Sequence, residues 1–156
     1  MRMTQHSDYA LRMLIYLAIR PDGECTANDV ATAYALSRNH LAKVAQTLRD
    51  LDLIETTRGR KGGLRLRKSP DRIGVGALIR ATETDFALAE CMQKQGQKCA
   101  IASVCKLTGM LQEALDAYLA VLDKYTLADI LKNRKHLAPL LGLDFQGEWQ
   151  QTGSAR

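Results

Sequence analysis

Three features of the sequence predict a mainly α-helical protein, a winged helix-turn-helix DNA-binding domain with a long C-terminal dimerisation helix. Apolar residues recur at helical spacing in three successive segments of the first fifty residues, and a basic, glycine-rich hairpin follows them directly. Beyond residue 104 an apolar seam repeats at alternating steps of four and three. At 156 residues and 46% apolar content, the chain is long enough for one domain, or a small domain with an appended element, to bury a real core.

The first helix is expected from Thr4 to Arg20, with Ala10, Met13, Leu14, Leu17 and Ala18 as its stripe and Pro21-Asp22-Gly23 as its stop. In its first turns Asp8 precedes Arg12 by four residues, so the plain reading of Asp8 is a carboxylate that complements the helix dipole and pairs with Arg12. A short second helix begins near Thr26, where Thr26 and Asp29 have capping spacing, and runs through Val30 and Ala33. Ser37 is a good N-cap for a third helix reaching about Leu51, whose stripe is Leu41, Val44, Leu48 and Leu51. Turning that stripe inward turns Asn39, Ala42, Lys43 and Gln46 outward, with Arg38 beside them and His40 flanking them. Two short helices joined by a tight turn, the second with such a face, are what a helix-turn-helix needs to reach base edges in the major groove.

Leu53–Thr57 and Leu64–Leu66 read as strands around Arg58-Gly59-Arg60-Lys61-Gly62-Gly63, a hairpin with a basic tip. The glycines let it approach a phosphate backbone or a minor groove, while Arg58, Arg60, Lys61 and Arg65 supply countercharge. Thr26 and Ser37, at the helix starts, complete the candidate DNA contacts. The charge distribution agrees: residues 1–80 hold fourteen Lys and Arg against eight Asp and Glu, whereas residues 81–156 hold eight against nine.

After the break at Pro70-Asp71-Arg72, Ile73 to Ala81 can form a short helix despite Gly74 and Gly76. A long helix is expected from about Val104 to Tyr125, with Leu111, Leu115, Tyr118, Leu122 and Tyr125 as a heptad-like seam that wants a partner helix. A second copy in a two-fold dimer supplies one; packing against the first helix is the competing reading. A last short helix starts near Thr126 and fades by Arg134. The expected division is therefore residues 1–82 for the DNA-binding domain, 83–106 for a cysteine-bearing loop, 107–138 for the dimerisation helix with its short successor, and 139–156 for a disordered tail.

The segment Cys91–Cys105, CMQKQGQKCAIASVC, carries three of the four cysteines at spacing C-x7-C-x5-C. That is neither the paired spacing of a zinc ribbon nor an even-numbered disulfide framework, and three thiols leave a metal or cluster one ligand short. With no signal-peptide pattern and no apolar run of membrane-spanning length, a cytoplasmic location is expected, where clustered cysteines serve as ligands or redox groups. Cys25 reads as a small buried residue. His6 and His136 read as solvated or locally hydrogen-bonded. No histidine adjoins the cysteines, and no phosphate loop or carboxylate pair accompanies them, so no enzymatic activity is expected.

The chain resembles the nitric-oxide-sensitive iron-sulfur repressors of the NsrR type, within the wider family of winged-helix regulators that includes the IscR type. The resemblance runs from residue 1 to about 131. It rests on MRMTQHSDYALRMLIYLAI, SRNHLAKV, RGRKGGLRL, RATETDFALAEC and LDKYTLADIL. It implies a homodimer in which Cys91, Cys99 and Cys105 hold an iron-sulfur cluster, 4Fe-4S with 2Fe-2S as the alternative, and in which Asp8 of the partner subunit is the fourth ligand. Arg12 would orient that carboxylate. The implied function is repression of palindromic operators by the cluster-bound dimer, relieved when nitric oxide attacks the cluster. Thr108 stands where the IscR type has a histidine ligand, the first intercysteine gap is longer than usual, and Lys61 replaces a common wing glycine. The alternatives are a DNA-binding thiol or zinc redox switch without a cluster, and an iron-sulfur-status regulator of the IscR type.

Overall fold

The computed structural model describes residues 2–20, 23–57, 63–93 and 99–143. Along them run α1 (Gln5–Ile19), β1 (Glu24–Cys25), α2 (Ala27–Tyr34), α3 (Arg38–Asp50), β2 (Ile54–Thr57), β3 (Gly63–Leu66), α4 (Val75–Thr82), α5 (Leu107–Leu122), α6 (Leu127–Ile130) and α7 (Arg134–Leu140). Short 3-10 turns lie at Pro70–Arg72, Glu90–Met92 and Leu131–Asn133.

The core is the seam between α1 and α3. Thr4 caps α1 by accepting the Ser7 N–H, and one face of the helix buries Ala10, Met13, Leu14 and Leu17. Against it α3 buries Leu41, Val44 and Leu48. Each fully buried leucine contributes about 1.5–3 kcal/mol, so this contact is what sets the angle at which α3 is presented. Between α2 and α3 the chain turns through Ala35 at φ 52°, closed by the Leu36 N–H donating to Ala31 O at 2.9 Å.

The hairpin is as read, but it has a third strand. β1, only two residues long, pairs antiparallel with β3, giving the order β1-β3-β2. Two residues are too few to show an alternation, which is why the strand was not legible in the sequence. At the base of the wing the Gly63 N–H donates to Thr57 Oγ1 at 3.0 Å, and a Cβ on Gly63 would meet that same oxygen at 2.8 Å. A glycine is therefore needed there for close approach. Arg58, Arg60 and Lys61 of the wing tip lie outside the described residues.

α4 ties the two halves of the chain together. Thr82 donates to Ser7 Oγ at 2.8 Å and the Thr4 N–H donates to Glu83 Oε1 at 2.9 Å, which pins the start of α1 to the end of α4. On its other side Arg80 donates twice to the Asp123 carboxylate, at 2.5 and 2.7 Å, over Gly76, where an added Cβ would run into that carboxylate. Val75 and Leu127 add backbone bonds, to Tyr125 O at 2.9 Å and from Leu127 to Ile73 O at 2.8 Å.

The seam expected to meet a second copy is partly covered within the chain, and its last member, Tyr125, is 49% exposed. Leu115 is buried, and Leu111, Tyr118 and Leu122 are half-buried, with Tyr118 lining a crevice beside Ile79 of α4. It packs within the chain, against α4, because α4 supplies the apolar face that the sequence did not reveal as a neighbour. Left outward is a second stripe on α5, Leu107, Met110, Ala114, Ala117 and Val121, at steps of three, four, three and four. Its large members are 50%, 62% and 49% exposed, and Ile101 and Val104 extend it to 59% and 80% exposure.

The C-terminal part also differs from expectation. Order does not fade at Arg134 or end at 139: α7 runs through Pro139 to Leu140, and Leu131, Ala138 and Leu143 are buried against the core. Residues 144–156, with Trp149, lie outside the described residues. At the start of α6, the Asp129 carboxylate sits 2.8 Å from Lys132 Nζ and accepts from the Thr126 N–H at 2.9 Å and hydroxyl at 3.1 Å. The Lys132 contact first, then the Thr126 bonds, draws its pKa down from 3.8 to about 2. A carboxylate depressed on folding stabilises the fold above its unfolded pKa and loses that contribution as pH falls through the folded value. The melting temperature of the wild type should therefore drop towards that of Asp129→Asn between about pH 4 and about pH 2. A gap between the two proteins that stays constant through this window would contradict the reading.

Candidate DNA interface and cysteine-bearing loop

The outer face of α3 is as the apolar stripe demands: Ser37, Arg38, Asn39, His40, Lys43 and Gln46 are all exposed. Their side chains are not equally available. Arg38, Asn39 and Lys43 make no side-chain hydrogen bond or ion pair among the described residues. Gln46 donates to Asp50 Oδ1 at 2.7 Å and accepts from Arg49 at 2.6 Å, so its amide is engaged along the helix. Ser37 occupies the N-cap without a side-chain cap bond, leaving its hydroxyl for other acceptors. Thr26 completes a capping box with Asp29, accepting its N–H at 3.2 Å and donating to its carboxylate at 2.9 Å, so its hydroxyl is already committed. Arg65 of the wing pairs with Glu55 across the hairpin at 2.6 Å.

Asp8 and Arg12 form a two-point ion pair on α1, with Arg12 Nε donating to Oδ1 at 3.0 Å and Nη2 lying 2.8 Å from Oδ2. The Arg12 guanidinium carbon lies 6.0 Å from the Tyr9 ring centroid and 5.6 Å from that of Tyr34. Burial raises the Tyr34 pKa above 10, with Arg12 opposing the shift. The Tyr9 ring in turn lies 6.2 Å from that of His40, at 45°. Neither tyrosine stood out in the sequence, where aromatic residues near a helix start carry no signal of their own. His6 bonds Thr47 on α3 through Nε2 at 3.0 Å, a contact between α1 and α3 and not a local one.

Cys91 lies in the Glu90–Met92 turn, Cys99 is exposed, and Cys105 precedes α5, half-buried; none is in a disulfide. Cys25 is buried in β1, apart from them. α5 packs on the turn that carries Cys91, and Cys105 lies two residues before the start of α5. Within one chain, no three His, Cys, Asp or Glu side chains among the described residues are grouped to hold a metal ion, and Asp8 is not gathered with the cysteines. The donor chemistry nonetheless fits a thiolate-held iron-sulfur group: three cysteines free of disulfides and, three residues after Cys105 in the first turn of α5, the Thr108 hydroxyl shielded from solvent without a hydrogen-bond partner. An open groove of about 580 Å³ between α1 and α7, lined by Ala18, Pro70, Leu131 and Lys135 among others, shares no residue with this site. No helix among the described residues is long and apolar enough to cross a membrane.

A helix-turn-helix with an exposed polar face, a wing beside it and a long helix behind define a winged-helix transcriptional regulator, and the comparisons with known proteins agree. Residues 3–133 match the Rrf2 family, described as iron-dependent transcriptional regulators. The chain is 47% identical over 144 residues to the HTH-type transcriptional regulator NsrR of Halalkalibacterium halodurans, across 92% of this chain and 99% of that one. It is 46% identical over 142 residues to NsrR of Bacillus subtilis, across 90% and 97%. Among solved structures, CymR, the global cysteine regulator of B. subtilis, superposes with a TM-score of 0.64 at 25% identity, over 85% of this chain and 98% of that one. This chain belongs to the Rrf2 family of transcriptional regulators; it is not an enzyme.

Proposed function

We propose that the chain is a nitric-oxide-responsive repressor that binds palindromic operator DNA as a homodimer while Cys91, Cys99 and Cys105 hold an iron-sulfur cluster, 4Fe-4S in nuclearity. The fourth ligand is Asp8 of the partner subunit. The observation that carries the reading is the pairing of three cysteines within fifteen residues of sequence, none in a disulfide, with a winged helix in a chain 47% identical to an NsrR. When bound, the cluster supplies iron open to attack by a small diatomic.

The residues of this chain suit those parts. Arg12 holds both carboxylate oxygens of Asp8, so it fixes where that ligand is presented. The first turn of α1 is itself anchored to α4 through Ser7 and Thr4, and Tyr9, next to Asp8, touches His40 on α3. A change at Asp8 thus has a short packed route to the recognition helix. The outward stripe of α5 is the surface a second copy would cover, and a two-fold dimer would set the recognition helices roughly one DNA turn, about 34 Å, apart. Thr108, a poor iron ligand, disfavours the IscR-type set.

Anaerobic reconstitution with iron and sulfide, then operator titration before and after nitric oxide, tests the proposal. Affinity unchanged by nitric oxide would sink the sensing claim, and a protein that takes up zinc but no iron or sulfide would favour the thiol or zinc switch. Asp8→Ala should leave three protein ligands and shorten the cluster lifetime; an equal lifetime would remove the aspartate from the ligand set. Lys43→Ala should weaken binding alike on all sequences and lower the salt slope by about one.

A further inference from the structure

α5 begins in an unusual way for a sixteen-residue helix. Lys106 at its N-cap gives no side-chain hydrogen bond, and its first turn contains no acidic residue. The first N–H groups of such a helix carry partial positive charge and no partner within the helix. In that same turn Thr108 Oγ1 is shielded from solvent and bonded to nothing, the one such side-chain atom among the described residues. A threonine in a helix ordinarily donates to the carbonyl four residues back, as Thr32 does to Asn28 O at 3.0 Å and Thr82 to Leu78 O at 2.9 Å. Thr108, the second residue of α5, has no such carbonyl, because Val104 precedes the helix.

Two independent features, an uncapped helix start and an orphaned hydroxyl, therefore ask for an acceptor that the polypeptide does not provide. Cys105 lies three residues before Thr108, and the turn bearing Cys91 packs against α5. We infer that Thr108 donates a hydrogen bond from Oγ1 to a sulfur of the thiolate-held group, a cysteinyl Sγ or a bridging sulfide. Thr108 is thus a positioning residue for the cluster and not a ligand. This rests on the iron-sulfur reading above. A hydrogen bond to an anionic sulfur lowers its basicity and its tendency to take a proton and leave the iron, so it slows loss of the group and tunes its potential. Valine keeps the shape of threonine and removes the donor; serine keeps the donor.

Full-length wild type, Thr108→Val and Thr108→Ser, reconstituted anaerobically with iron and sulfide, are compared by iron loss to a chelator and by Fe–S stretching bands in resonance Raman spectra. Thr108→Val should lose iron roughly tenfold faster, as expected for removing one charge-assisted hydrogen bond, with shifted Fe–S bands. Thr108→Ser should stay near wild type. The apo form of Thr108→Val should melt at or above the wild-type temperature, because a buried unpaired hydroxyl has been replaced by a methyl group. Loaded Thr108→Val with wild-type iron loss and unmoved bands would overturn the inference alone. So would an apo Thr108→Val that melts lower while retaining iron normally, since the hydroxyl would then be serving the fold. Wild type that takes up no iron or sulfide overturns the parent reading and this inference with it. Should valine disturb folding, Thr108→Ala removes the same donor.

Discussion

Cys99→Ala is expected to take up no stable iron or sulfide under conditions that load the wild type, while folding normally. Cys99 is exposed and adds nothing to the core between α1 and α3, so its loss should shift stability by no more than about 0.5 kcal/mol. The same substitution leaves two thiolates where the proposed group needs three, and two do not hold an iron-sulfur cluster through handling. Iron and acid-labile sulfide analysis, set beside a melting curve, separates the two effects. Operator affinity should match that of wild-type apo protein and no longer respond to nitric oxide. A loaded Cys99→Ala protein with the wild-type absorption spectrum would remove Cys99 from the ligand set.

The second large effect concerns α5. Met110→Glu with Val121→Glu places two charges on the outward stripe, where Met110 is 62% and Val121 is 49% exposed. Neither side chain is part of the core, so the monomer should keep its circular dichroism and melting temperature. If that stripe is where a second copy packs, carboxylates facing one another across a two-fold axis should drive the protein to a monomer in sedimentation velocity. Operator affinity should then fall by about a hundredfold or more, as the second half-site no longer benefits from high effective concentration. A double variant that still sediments as a dimer would move the interface elsewhere. Leu115→Glu is the contrasting change: it buries a charge against α4 and should unfold the protein instead of dissociating it.

These two α5 substitutions show what a one-dimensional pattern can and cannot say. A heptad-like seam at Leu111, Leu115, Tyr118 and Leu122 announces that some apolar surface will cover it, but spacing alone does not name the cover. α4 takes that place because Arg80 and Asp123 clamp the two helices across Gly76. Alanines and a methionine made the neighbouring stripe look ordinary, and only burial revealed it as unpartnered. Much the same holds on α3. The periodicity correctly turned Arg38, Asn39 and Lys43 outward, yet it could not foresee that Gln46 would be engaged by Arg49 and Asp50 or that Thr26 would commit its hydroxyl to a capping box.

Local chemistry was the legible part. Capping residues, the three helical stripes and the paired strands of the wing follow from interactions within a few residues, and the family resemblance follows from motifs of similar length. What needed the tertiary structure was every relation between distant segments: β1 beside β3, α4 between α1 and α5, Tyr9 against His40, and the burial that leaves the Thr108 hydroxyl without a partner. Those relations depend on how apolar faces are shared among helices, a property of the packed chain that no single segment carries.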